Sequence, residues 1–178
     1  MSSIEWRAGL RRFLLAATAV ALAACAGDPL PSSQPSFYRS LASHGAQLDT
    51  AVAASMISGY RENNGLGAVT LDPELIRIAE AQSRAMAARD KLDHNVAGAF
   101  KDRMRKSGYD ARGAVENISA GYHTLAEAFS GWRDSAPHRA NMLHKGATRM
   151  GIAAVYAPGS KYKVFWTLIM AAPDGGRG

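Results

Sequence analysis

The side chains best suited to chemistry in this 178-residue chain are two histidines and a glutamate set far apart: His94, Glu116 and His138. Glu116 sits in Val115-Glu116-Asn117-Ile118, an acid and an amide inside an otherwise apolar run. Burying a carboxylate is costly unless it is paired, so Glu116 requires partners, and imidazole N–H groups are natural ones. His94 follows Lys91-Leu92-Asp93 just past an expected helix end, and His138 lies in the stretch Trp132 to Leu143. Brought together, two imidazoles and a carboxylate would form one shared His–Glu–His site able to exchange protons as general acid and base. Spacing alone does not unite them, because no HExxH helix puts ligands on one face. Ser135 stands three residues before His138, a spacing that could set a hydroxyl beside an imidazole and, with Glu116, make a serine-hydrolase triad. Against that, Ala136-Pro137 follows the serine instead of a Gly-x-Ser-x-Gly elbow. The simpler expectation is that Ser135 caps a helix beside Pro137. The other histidines, His44, His123 and His144, are expected to be solvated.

The one cysteine, Cys25, has a different chemistry. Arg7, Arg11 and Arg12 precede an unbroken apolar run from Phe13 to Ala24, and the run ends in Leu22-Ala23-Ala24-Cys25. An apolar run of roughly 7–15 residues is a signal-peptide core, too short to span a bilayer. The small residues suit a peptidase groove and the thiol can take a lipid thioether, so residues 1–24 are expected to be a lipoprotein signal peptide resembling those with a bacterial lipobox. Cys25 then becomes the lipidated first residue. Ala26 in place of an aspartate resembles an outer-membrane sorting signal, which in a Gram-negative cell implies the periplasmic face of that membrane. With a single cysteine no intramolecular disulfide can form, and the domain rests on its core.

The formal charge is +6, and removing the three arginines and Glu5 of the signal leaves +4. The densest basic stretch, Lys101, Arg103, Arg105, Lys106 and Arg112, is diluted by Asp102 and Asp110. It reads as a solvated helix face, or as a patch attracted to anionic headgroups or wall polymers. No nucleic-acid recognition motif appears, and no nucleic-acid partner is expected. The expected partners are a membrane, through the lipid, and a lipid or cell-wall ligand; the protein is expected to be a monomer.

Several elements must position these residues. Residues 25–44, rich in Pro and Ser, read as a tether; residues 45–173 suit one domain, and 174–178 form a tail. Leu48, Val52, Met56 and Tyr60 share a helix face. Asp72-Pro73-Glu74 starts a second helix that buries Leu75, Ile78, Ala79, Ala85 and Met86, with Glu80 and Arg84 paired outside. A shorter helix carries Val96, Phe100 and Met104 and stops at Gly108, and Thr124-x-x-Glu127 is a capping box ahead of Leu125, Ala128, Phe129 and Trp132. Met150 to Tyr156 and Lys163 to Met170 are apolar on both faces and joined by Ala157-Pro158-Gly159-Ser160, hence a hairpin. A third strand is expected at 114–120. Strands buried on both faces need cover on both sides, which predicts an α+β fold: an α-β-α sandwich around a central antiparallel sheet.

The ordered series His94, Phe100-x-x-Arg103, Gly108-Tyr109, Glu116-Asn117-Ile118, Gly121, Trp132-x-x-Ser135-x-x-His138-Arg139-x-Asn141-Met142-Leu143 and Met150-Gly151-Ile152 resembles the CAP superfamily of SCP-domain proteins. The likeness is to its short, cysteine-poor bacterial branch and covers nearly all of residues 48–172. The resemblance implies the same sandwich and a cleft lined by two histidines and two acids, which in some members binds zinc or another divalent ion. His94 and His138 match the histidines and Glu116 the first acid. The second acid's position is Ser135, so the set is incomplete and tight zinc binding is in doubt. Arg103, Asn117 and Asn141 are expected to brace the site through hydrogen bonds.

Three functions follow as expectations: an envelope-anchored binding module for a lipid, glycan, peptide or protein; a hydrolase, metal-assisted or acid/base, centred on His94, Glu116 and His138; and a structural envelope protein with a vestigial cleft.

Overall fold

The computed structural model describes residues 34–174. The expected signal peptide and the expected lipidation site at Cys25 lie outside them. One short strand and three long ones make a four-stranded sheet with five α-helices around it among the described residues: α1 (Thr50–Glu62), β1 (Thr70–Leu71), α2 (Pro73–Arg89), α3 (Phe100–Lys106), β2 (Ala111–Ala120), α4 (Leu125–Asp134), α5 (Ala136–Met142), β3 (Arg149–Tyr156) and β4 (Val164–Pro173). The order across the sheet is β1-β3-β4-β2. The hairpin pairs Met150 with Met170 and Tyr156 with Val164, and β2 lies antiparallel on the far side of β4, Glu116 opposite Ile169.

Central β4 shows why the fold is a sandwich. It is buried along its whole length before Pro173. Trp166, Leu168 and Met170 point to the layer holding Ile57 of α1 and Leu125, Ala128 and Trp132 of α4. Ile169 and Ala171 point the other way, to Leu75, Ile78 and Ala79 of α2. Each fully buried aliphatic side chain contributes about 1.5–3 kcal/mol, so neither face of β4 could be left uncovered. The expected α-β-α architecture is therefore the observed one.

Local signals account for the helix ends. Asp72 accepts from the backbone N–H groups of Glu74 and Leu75 with Pro73 in the first turn, and α2 ends at Asp90 in the left-handed region. Thr124 and Glu127 form the reciprocal capping box of α4. At the crossing of α2 on β3, Gly151 lets the strand approach the backbone of Leu75 and Ile76.

The structure departs from the sequence reading at several points. β1 runs parallel to β3, so the sheet is not purely antiparallel; two residues carry too little pattern to be seen. Leu48 precedes α1, and Val96 lies in a turn ahead of α3, because α3 begins at Phe100. Ala85 is half-buried, while Gln82 and Ser83 are fully buried. Ser83 donates to Thr167 of β4 at 2.8 Å, which satisfies both hydroxyls inside the sandwich. Residues 36–43 are not all tether: Ser36–Tyr38 form a 3-10 turn, Ser36 donates to Asp49, Leu41 is buried, and its N–H bonds the carbonyl of His123. His144 is half-buried, its ring against Gly113, whereas His44 and His123 are exposed. Among the described residues no helix is long and apolar enough to cross a membrane.

Candidate functional site

Glu116 is placed by strand periodicity. It and Ile118 point from β2 toward the α2 side, while Asn117 points to the α4–α5 side. The Glu116 side chain is 2% exposed, and its partners come from two elements. Arg103 of α3 donates from Nη2 to Oε1 at 2.9 Å and Oε2 at 2.7 Å. His94, in the loop after α2, makes a 2.8 Å bond from Nδ1 to Oε1.

The His94 loop is held by its backbone carbonyls. Gln82 donates to Asp93 O at 2.9 Å, and Arg103 donates to Gly98 O at 3.0 Å and His94 O at 3.2 Å. Arg103 thus clamps the loop carrying the imidazole and the carboxylate that the imidazole meets. This corrects the reading of its basic stretch: Arg103 is 8% exposed and sits in the core of the site, while Lys101, Arg105, Lys106 and Arg112 remain at the surface.

His138 comes from α5, which lies along β2. Asn117 donates to His138 O at 2.9 Å, and Asn141 donates to Glu116 O at 3.1 Å and Asn117 Oδ1 at 2.9 Å. These amides fix the helix against the strand. Burial, and secondarily the nearby His94, push the His138 imidazole below its ordinary pKa. Its ring is half-buried and faces a cavity of about 440 Å³ together with Lys91, Leu92, Asp93, His94, Asn95 and Ile118. Lys91 and Asp93 are paired at 2.7 Å.

The sequence-predicted residues therefore separate into layers. His94 and His138 line the cavity. Glu116 stands behind His94, and Arg103 behind Glu116. Ser135 is not among the lining residues. It occupies the N-cap position of α5, yet its hydroxyl makes no capping bond, so the expected side-chain cap is absent. The Ser135–His138–Glu116 triad is not assembled either: the carboxylate is hydrogen-bonded to His94 and Arg103, with none to His138 among the described residues.

The same bonds weigh against a three-ligand metal centre. Both oxygens of Glu116 are engaged, and a guanidinium less than 3 Å away opposes a dication. Among the described residues no group of three or more His, Cys, Asp or Glu is arranged to hold a metal ion. His94, Glu116 and His138 do not fit zinc as a set. What they do fit is tautomer control. A neutral His94 donating from Nδ1 to the carboxylate presents Nε2 to the cavity as a lone-pair acceptor.

Leu92 and Ile118 were absent from the sequence-predicted site. Ile118 had a usable signal, since it lies two residues after Glu116 on the same strand face. Leu92 had none beyond its place beside His94.

A larger cavity of about 760 Å³ lies at the opposite end of α2, lined in part by Asp72, Glu74, Arg105, Tyr109, Asp110 and Arg149. Tyr109 donates to Asp72 at 3.0 Å, and burial, then this carboxylate, raise the phenol's pKa strongly.

Residues 54–170 match the cysteine-rich secretory protein family, CAP. The chain belongs to the CAP family. This CAP protein is 30% identical over 119 residues to YkwD, an uncharacterized protein of Bacillus subtilis, covering 60% of this chain and 46% of YkwD. It is 29% identical over 94 residues to YlbC, an uncharacterized membrane protein of the same organism, covering 52% of this chain and 27% of YlbC. The chain thus spans less than half the length of either curated relative. In fold it is similar to an extracellular SCP-domain protein of Bacillus anthracis, with a TM-score of 0.60 at 23% identity over 68% of this chain and 39% of that one. It is also similar to an outer surface protein of Borrelia burgdorferi, with a TM-score of 0.64 at 15% identity over 71% of this chain and 93% of that one. The family's name refers to cysteines that this domain lacks, since Cys25 lies outside residues 54–170.

Proposed function

We propose that this CAP protein is an exported binding module, anchored to the cell envelope by a lipid on Cys25, that takes its ligand between His94 and His138. The observation that carries this reading is the buried Arg103–Glu116 pair behind His94. That arrangement spends a buried charge pair on orienting one half-exposed imidazole toward a cavity that faces solvent. The extracellular and outer-surface relatives support export, and the lipobox-like run at Leu22-Ala23-Ala24-Cys25 supports the anchor.

The test is to isolate wild type and His94→Ala from the native envelope and compare co-purifying small molecules by mass spectrometry. A molecule retained by wild type and lost from His94→Ala supports the reading; identical extracts from both variants remove the cleft from it. For the anchor, Cys25→Ser should move the mature protein from the membrane to the soluble fraction without unfolding it. Protein that still pellets would show that another surface holds it.

A second reading has one specific observation in its favour. A carboxylate on His94 Nδ1 orients Nε2 as a general base able to activate water. Hydrolysis of a peptide or ester substrate by wild type, abolished in His94→Gln, would establish that reading over simple binding.

A further inference from the structure

Resting on the reading of this cleft as a binding site, we infer that its ligand is an uncharged, hydroxyl-rich saccharide, free or as a glycolipid headgroup. Its O–H groups donate to the two imidazoles while its C–H face lies on Leu92 and Ile118.

The cavity offers acceptors. His94 Nδ1 is committed to Glu116, so a neutral ring has Nε2 left as a lone pair. Burial favours the neutral form of His138, which adds a second acceptor across the opening. Hydroxyl groups are among the uncharged donors that match neutral imidazole nitrogens.

The formal charges among the residues lining the cavity, Lys91 and Asp93, also cancel. Lys91 and Asp93 on its rim neutralise each other, and Glu116 is neutralised from behind by Arg103. Arg139, next to His138 on α5, is turned to the carbonyl of Arg133 at 3.2 Å. An anionic ligand would find the lining cation, Lys91, already paired, and a cationic ligand would find Asp93 and Glu116 already paired.

The apolar part is a small platform. Ile118 is buried beneath the opening, and Leu92 is 45% exposed, one of two large hydrophobic side chains exposed among the described residues. An acyl chain needs an enclosed apolar sleeve, whereas the lining here has two aliphatic side chains among polar ones. A sugar ring, with hydroxyls at its edge and C–H groups on its face, matches that division. A volume of about 440 Å³ is within the ~300–1,000 Å³ range of small-molecule sites.

The experiment follows the imidazole nitrogens of His94 and His138 by NMR in the full chain. Probes are maltotetraose, N-acetylchitotetraose, their permethylated forms, a sulfated tetrasaccharide, and vesicles with or without a glycosyl-diacylglycerol. Saturable shifts of His94 Nε2 and a His138 ring nitrogen with a native saccharide or the glycolipid vesicles, and none with the permethylated form, support the inference. Comparing free sugars with glycolipid vesicles distinguishes the two sources. Leu92→Ser, a surface change, should weaken saccharide binding about tenfold. Equal binding of the permethylated sugar, or tighter binding of the sulfated one, overturns it. Shifts produced by oleate or a tripeptide, with none from any saccharide, overturn the ligand class and leave the binding cleft standing. No response to any probe at 10 mM would sink both.

Discussion

Arg103 and Glu116 meet through a single guanidinium nitrogen, with their side chains 7% and 2% exposed. The second terminal nitrogen, Nη1, is buried without a partner among the described residues. Nearly all of this arginine's directed bonding therefore goes to holding one carboxylate and one loop.

Removing the arginine should strand the anion. Arg103→Met is expected to cost about 3–5 kcal/mol, the usual cost of breaking a buried ion pair from one side. Adding Glu116→Gln to that background should recover part of the loss. Urea unfolding of the two single variants and the double variant closes the cycle. Additive losses would mean that the two side chains do not act as a pair.

The acid limb of stability should carry a contribution from His138. Its pKa in the folded protein lies below the ordinary 6.5 because of burial first and His94 second. The unfolded chain therefore binds the proton more readily. Stability from the neutral ring is fully present above about pH 6.5 and falls as pH drops from there through the lower folded value. His138→Gln should flatten that part of the curve. A wild-type curve and a variant curve of equal slope between pH 6.5 and 5 would contradict the assignment.

Among the described residues, Arg61 is a buried cation with no carboxylate paired to it. It is 1% exposed and donates to the carbonyls of Gly67, Met142, His144 and Ala147. Three of these bonds tie the end of α1 to the end of α5 and the turn before β3, and the fourth holds the loop that follows α1. Lysine keeps the charge but loses the planar fork, and each buried carbonyl left unpaired costs about 1–3 kcal/mol. Arg61→Lys should lower stability by about 2 kcal/mol or more and increase amide exchange in residues 142–147. Unchanged exchange there would show that the turn holds itself.

Two glycines should respond oppositely to alanine. A β-carbon at Gly151 would fall within the backbone of Leu75 and Ile76, while one at Gly59 meets nothing within 4 Å. Gly151→Ala should push α2 off β3 and cost about 1–3 kcal/mol or more, as overpacking does. Gly59→Ala, inside α1, should gain up to about 1 kcal/mol from helix propensity. Thermal melts of both variants suffice, and a stable Gly151→Ala protein would refute the close crossing.

The sandwich was readable because its signals are local. Thr124 and Glu127 are three residues apart, Asp72 adjoins Pro73, and the strands declare two apolar faces by alternation. Glu116 likewise announced that it needed partners, since an acid in such a strand cannot remain alone. Composition hid the identity of its main partner, and only the family resemblance marked Arg103 as a brace of the site. Arg103 sits among Lys101, Arg105 and Lys106, and a guanidinium that turns inward has the same composition as those that turn outward. Arg61 was hidden for a similar reason, because its partners are main-chain carbonyls that no sequence pattern marks. Ser135 was over-read, since its place in the series said nothing about where its hydroxyl points.

The N-terminal segment that docks through Leu41 and Ser36 has a mechanical consequence. Phe37 and Leu41 belong to the layer of α1 and α4, while His94 hangs from the opposite layer, at the end of α2. A pull arriving from the N-terminal side enters through the bonds Leu41–His123 and Ser36–Asp49. It is spread into α1, α4 and the turn after β2 before it reaches the loop that carries His94. His94 is thereby kept on the other face of the sheet from the point of loading, whereas His138 rides on α5 in the loaded layer beside α4, so a pull reaches the cavity first on its His138 side.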